Sequence, residues 1–91
     1  MKQAYPIILH PDGKAGYYVE IPDLEIGTQG MTIEEGIEMA YDAIGLLGIT
    51  LQDEGKEIPM PGVVPRHAEE NGIMLVVEID FDEYRRENEK V

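Results

Sequence analysis

The chain holds 91 residues, 43% hydrophobic and 29% charged, with 19 acidic side chains against 7 basic ones and a formal net charge of -12. That length fits one small domain with a single core, for which dimerisation would add buried surface. The absence of cysteine and serine excludes disulfides, thiolate nucleophiles, cysteine zinc sites and serine-nucleophile chemistry.

The segment Gln3 to His10 is apolar and β-branched near its centre and predicts a strand. Pro6 inside it implies an edge strand, or one whose amide at that position is unpaired. Pro11-Asp12-Gly13-Lys14 carries an Asp-Gly hairpin signal. Gly16 to Ile21 returns as a second strand, with Tyr17, Val19 and Ile21 on one face and Tyr18 and Glu20 on the other. Pro22-Asp23 breaks it. Leu24 to Gln29 predicts a short third strand, with Gly27 or Gly30 marking a bulge or turn.

Thr32-Ile33-Glu34-Glu35 has the capping-box pattern, Thr32 as N-cap and Glu35 reaching back to its amide. In the helix that follows, Ile33, Ile37, Ala40, Ile44, Leu47 and Leu51 are spaced to form one apolar stripe. Gly36, Ala40 and Ala43 lie to one side of it and permit close approach to a sheet. Gly45 and Gly48 each cost about 1 kcal/mol relative to alanine, so the second half is expected to fray or bend. Gly55 is a stop.

Ile58 to Arg66 holds three prolines and is a connector. Ile73 to Ile79 is a nearly continuous apolar run, as in a central strand buried on both sides or one with a partner on its second face. Asp80 or Asp82 caps a final turn or short helix, Glu83 to Glu89, expected to be polar and exposed. The expected fold is thus α+β, a β-β-β-α-β order with a small antiparallel sheet and one helix on a face. The domain would span 1–80, with 81–91 as a charged C-terminal turn or short helix. The uncovered sheet face, or an edge, invites self-association.

Residues 32–57 carry -6 of the net charge, and residues 1–31, 58–79 and 80–91 carry -2 each. Phosphate binding needs a positive surface, so a basic protein suits this chain better than nucleic acid. With no run of about 18 apolar residues and no basic-then-apolar N-terminus, a soluble cytoplasmic protein is expected. Glu34, Glu35, Glu38 and Asp42 crowd the first half of the helix. They form either a solvated face or an electrostatic surface for a basic partner. Asp80, Asp82 and Glu83 have oxygens that suit magnesium, although capping already explains one of them. His10 and His67 are the only imidazoles, and neither has a visible orienting partner. Tyr5, Tyr17 and Tyr18 are ordinary strand residues, yet an exposed tyrosine pair beside Asp23 would anchor a protein. No cofactor or metal is expected.

Tyr5-Pro6-Ile7, Gly16-Tyr17-Tyr18-Val19, Ile21-Pro22-Asp23-Leu24, Thr28-Gln29-Gly30, Thr32-Ile33-Glu34-Glu35, Asp42-Ala43-Ile44 and Ile58-Pro59-Met60-Pro61 occur in an order that resembles the HicB antitoxin family. The likeness runs from Tyr5 to about Arg86. It implies a partly degraded ribonuclease-H-like fold without nuclease activity, and a place in a type II toxin-antitoxin pair. The implied partner is a HicA-like toxin, a small basic ribonuclease that cleaves mRNA with a histidine and whose active site the antitoxin masks. Dimers or higher assemblies and repression of the operon are common in that family.

Two features depart from its pattern. Glu25-Ile26-Gly27 stands where the family has Pro-Gly, and the chain stops at Val91, where many members continue into a DNA-binding segment. That segment is either absent or removed, and DNA binding by these residues is not expected. The resulting toxin-binding candidates are Asp23, Glu25, Glu34, Glu35, Glu38, Tyr17 and Tyr18. Two other classes compete: a metal-dependent nuclease using Asp12, Asp80 and Asp82, and a plain oligomerising structural domain.

Overall fold

The computed structural model describes residues 2–13, 15–62 and 71–89. Strands β1 (Lys2–Pro11), β2 (Tyr17–Ile21), β3 (Ile26–Gly30) and β4 (Ile73–Asp80) form one antiparallel sheet in the order β3-β2-β1-β4. Helices α1 (Ile33–Asp53) and α2 (Phe81–Asn88) complete the α+β domain. A 3-10 turn, Pro22–Leu24, separates β2 from β3.

The β1–β2 hairpin pairs Ile8 with Glu20 through to Pro11 with Tyr17. Residues 2–7 of β1 lie outside that pairing and have β4 beside them, in a ladder from Lys2–Asp80 to Leu9–Ile73. Pro6 sits in this half, where among the described residues the strand has one neighbouring strand, as suits a proline in a sheet. Tyr5, Ile7, Leu9, Val19, Ile21, Val77 and Ile79 face α1 and α2, and form the core with Ala40, Ile44, Ile49, Phe81 and Tyr84. Ile8 points to the opposite face and is also buried, whereas Tyr18, Met74 and Val76 on that face are exposed.

β4 is not a central strand. It lies at the sheet edge, with Val77 and Ile79 buried and Met74, Val76 and Glu78 exposed. A continuous apolar run arises when both rows are apolar, whether or not both are covered, so the pattern alone did not place it.

The capping box forms with one change: Thr32 Oγ1 accepts the Glu35 N–H at 3.0 Å, but Glu35 Oε1 accepts from Met31 N–H rather than from Thr32. α1 then runs unbroken to Asp53. Its most deeply buried residues are Gly36, Ala40, Ile44, Gly45, Gly48 and Ile49, while Ile33 and Ile37 stay over a third exposed. The buried row is therefore rotated toward the small residues, which bring the helix closer to its neighbours. Gly45 and Gly48 do not fray the helix. They seat two rings of α2, Tyr84 over Gly45 and Phe81 over Gly48. The last segment is correspondingly not a polar tail, because Phe81 and Tyr84 are buried.

At the end of α1, Gly55 takes φ +71°. Its N–H donates to Gln52 O at 3.0 Å and the Lys56 N–H donates to Leu51 O at 2.8 Å, a Schellman motif. Arg85 closes the same end, with Nη2 3.0 Å from Asp53 Oδ1 and 3.3 Å from Ile49 O, and Nη1 2.8 Å from Glu89 Oε1. A cation there opposes the partial negative charge of the helix C-terminus.

The proline-rich connector is tied down where it is described. Tyr5 Oη donates to Pro59 O at 2.7 Å, and the Gly62 N–H donates to Asp23 Oδ1 at 2.8 Å. Burial and, after it, the Asp23 charge push the Tyr5 phenol above its ordinary pKa, so it remains a donor.

Candidate functional site

The expected binding residues divide among three places. Tyr17 and Tyr18, adjacent on β2, point to opposite faces of the sheet. Both reach the edge of a groove of about 630 Å³ between the β2–β3 ribbon and the first turns of α1. Glu35, Met31 and Met39 line it from the helix side and Asp12 from the hairpin turn. Glu34 joins Tyr17, Met31 and Ile33 in the adjoining recess. Four of the seven candidates thus share one corner.

Glu38 turns away from that corner, toward a groove against β4 with Ile37, Tyr41, Asp42 and Val76. Asp23 and Glu25 sit at the far end of β2. Asp23 is engaged with the connector through Gly62. Glu25 holds a left-handed backbone, φ 54°, an uncommon conformation for a side chain of its kind. It opens on a shallow recess with Glu20, Ile26 and Tyr18. The Tyr18 ring lies across Gly27, where any Cβ would collide with it, and stacks on His10 at 6.1 Å.

Met31, Ile33 and Met39 were missed as surface anchors, and they are 62%, 39% and 41% exposed. A signal for Met31 existed. It precedes the N-cap, where an apolar residue ordinarily packs against the fourth helical position. That position is Gly36, which offers no side chain, so Met31 is left in solvent.

The corner combines tyrosine and methionine surface with Asp12, Glu34 and Glu35, and no described residue lining it is lysine or arginine. It holds anchors of the kind that dominate protein interfaces, rimmed with negative charge. The histidine and carboxylate alternatives fare differently. His10 Nε2 is 2.9 Å from Glu20 Oε1, and His67 lies outside the described residues. Asp80 caps α2, accepting the Asp82 and Glu83 N–H groups at 2.9 and 3.2 Å. These bonds, that from Glu83 first, hold its carboxyl below the usual aspartate range. Asp12 lies at the opposite end of β1 from Asp80, which pairs with Lys2. Among the described residues, no three His, Asp or Glu side chains converge as a metal-holding set. No described helix is long and apolar enough to cross a membrane.

Comparison with known proteins places this architecture. The chain is 43% identical over 61 residues to Antitoxin HicB 1 of Photorhabdus laumondii, a match that covers 66% of this chain and 39% of that protein, so the aligned part is about two fifths of the relative's length. Its fold matches a chain of a toxin-antitoxin complex from Streptococcus pneumoniae with a TM-score of 0.78 at 23% identity, covering 100% of this chain and 78% of that one. It also matches the N-terminal domain of the Burkholderia pseudomallei antitoxin HicB (TM-score 0.75, 23% identity, 86% and 99% covered). The longer HicB of that organism gives 0.78 at 21% identity, with 98% and 70% covered. The family model described as HicB-like antitoxin of bacterial toxin-antitoxin systems matches residues 5–91, and the chain belongs to that family.

Proposed function

We propose that this antitoxin binds a small basic HicA-like toxin and covers its mRNA-cleaving site, performing no bond chemistry itself. The observation that carries the reading is the corner of Tyr17, Tyr18, Met31 and Met39 rimmed by Asp12, Glu34 and Glu35. Such side chains supply buried anchoring area on association, and the carboxylates draw a cationic partner in and select against others. The net charge of -12 extends that field over the molecule. In the same reading the fold is a partly degraded ribonuclease-H-like domain. Residues 1–80 form the binding domain, braced by α2, in a cytoplasmic protein that does not itself contact nucleic acid.

The test is co-expression with the adjacent small basic reading frame, followed by co-purification and growth rescue. Kinetics then locate the surface. Reversing Glu34 and Glu35 together is expected to slow toxin association and flatten its salt dependence, whereas reversing Glu38 alone has a smaller effect. Circular dichroism controls for the loss of the Glu35 cap. Association rates that do not change on the double reversal remove this corner from the interface. Hydrolysis of RNA by the purified chain overturns the reading altogether.

A further inference from the structure

All the sulfur in this chain is thioether, for it has five methionines and no cysteine. Two of the four described methionines share one wall. Met31, Glu35 and Met39 recur every four positions, and all three line the groove beside Tyr17 and Tyr18. Met31 is held there from both ends. Its N–H donates to Glu35 Oε1 at 3.0 Å, and its sulfur lies against Gly16, where an added Cβ would come 3.4 Å from Sδ. Even so, Met31 is 62% exposed and Met39 41%. The other two sit elsewhere: Met60 in the connector, with Sδ accepting from Gln3 Nε2 at 3.7 Å, and Met74 on β4, across the sheet from β3.

We propose that Met31 and Met39 form a reversible oxidation site through which a peroxide disables the docking corner of the free chain. The inference rests on that corner being the toxin-binding surface. Each sulfur attacks one oxygen of hydrogen peroxide: the S–O bond forms as the O–O bond breaks, the sulfur loses two electrons, and the departing hydroxide takes up the proton of the transferred oxygen and leaves as water. The product is a sulfoxide, polar where the thioether was apolar, a change that disrupts methionine-lined interfaces. A methionine sulfoxide reductase reverses the step, the oxygen leaving as water while a dithiol becomes a disulfide.

Two effects at the corner oppose docking once the oxygen is in place. The sulfoxide oxygen binds water and must shed it on burial, against a partner surface that was matched to a methyl thioether. It also brings partial negative charge beside Asp12, Glu34 and Glu35, where no described lining residue is a lysine or arginine to receive it. A docked partner covers the same sulfurs, so the site responds in the unbound antitoxin. Reduced chain docks and is shielded; oxidised chain stays free and leaves its toxin uninhibited.

The test treats the full chain with hydrogen peroxide, removes the oxidant, and titrates the chain against the purified toxin from the adjacent reading frame, with peptide mass spectrometry locating the added oxygens. Oxygen is expected on both Met31 and Met39, with an unchanged circular dichroism spectrum and toxin binding weakened about tenfold or more. Sulfoxide reductases for both epimers, with dithiothreitol, are expected to restore it. Met31→Leu combined with Met39→Leu, whatever its starting affinity, is expected to show no change on peroxide treatment, whereas Met60→Leu combined with Met74→Leu keeps the wild-type loss. If the first pair does not fold, Met31→Leu alone takes its place and is expected to shrink the loss. In the preformed complex Met31 and Met39 are expected to stay reduced while Met60 gains oxygen. Untreated chain that does not bind the toxin overturns the parent reading and this one together. Untreated chain that binds, and binds as tightly after both sulfurs are oxidised, overturns this inference alone, as does a loss that persists in the leucine variant or that accompanies unfolding.

Discussion

Replacing Gly48 with alanine sets two known effects against each other. Inside a helix, alanine is favoured over glycine by about 1 kcal/mol, so on helix propensity alone the substitution stabilises α1. The added methyl, however, would sit 2.5 Å from Phe81 Cδ1 and closer still to Cε1. That is about 1 Å inside ordinary carbon contact. Phe81 has no room to retreat, being 0% exposed and packed edge-on against Tyr5 at 6.4 Å. Overpacking of a filled site costs about 1–3 kcal/mol, and a fixed ring places this case at the upper end. The net expectation is destabilisation by about 1–2 kcal/mol, a fall in Tm of about 5–15 °C for a domain of this size. Thermal and urea melts followed by circular dichroism read it directly. In a Phe81→Leu background the clash is relieved and Gly48→Ala is expected to become neutral or stabilising, a coupling seen as non-additivity. A rise in Tm from Gly48→Ala alone, or strict additivity of the two changes, refutes the ring-seat argument.

Two further outcomes follow from the latch and the cap. Asp23→Ala removes the acceptor for the Gly62 N–H and is expected to cost about 1 kcal/mol in urea unfolding, while Asp23→Asn retains most of it; equal losses would show that the bond is not what holds the connector. Asp80 is held below its ordinary value of 3.8 by the N–H groups at the start of α2, so the stability it adds is complete above that pH and is lost as pH falls through the lower folded value. Asp80→Asn is expected to flatten the acid limb of the stability profile below about pH 4, and an unchanged limb would remove Asp80 from that role.

Features set by neighbouring residues were legible in the sequence. Thr32 with Glu35 marked the helix start, Gly55 its end, and Asp12-Gly13 the hairpin, because each is a local backbone requirement. What depends on distant partners was not. Nothing within Ile73 to Ile79 distinguishes an edge strand with two apolar rows from a central one. The burial of Phe81 and Tyr84 was hidden by the polar residues around them, although their spacing of three matches that of Gly45 and Gly48. Those glycines were read for their own helix propensity, when their role lay in the rings opposite. At the candidate site, Tyr17, Tyr18, Glu34 and Glu35 were named from composition, but Met31 and Met39 were not. The exposure of Met39 follows from the rotation of α1, which apolar spacing alone misjudged because the smallest residues, not the isoleucines, form the contact row, and that of Met31 from the missing side chain at Gly36.

The tie between Asp23 and Gly62, with Tyr5 holding Pro59, joins the stretches by which the chain resembles its family. Those stretches act as a clasp. Each bond ties the connector to the body of the domain, whereas the exposed rim of Met31, Ile33 and Met39 supplies no tie of this kind. Substitutions on that rim are expected to leave the scaffold standing, so the surface proposed for a partner can be altered while the clasp keeps the fold.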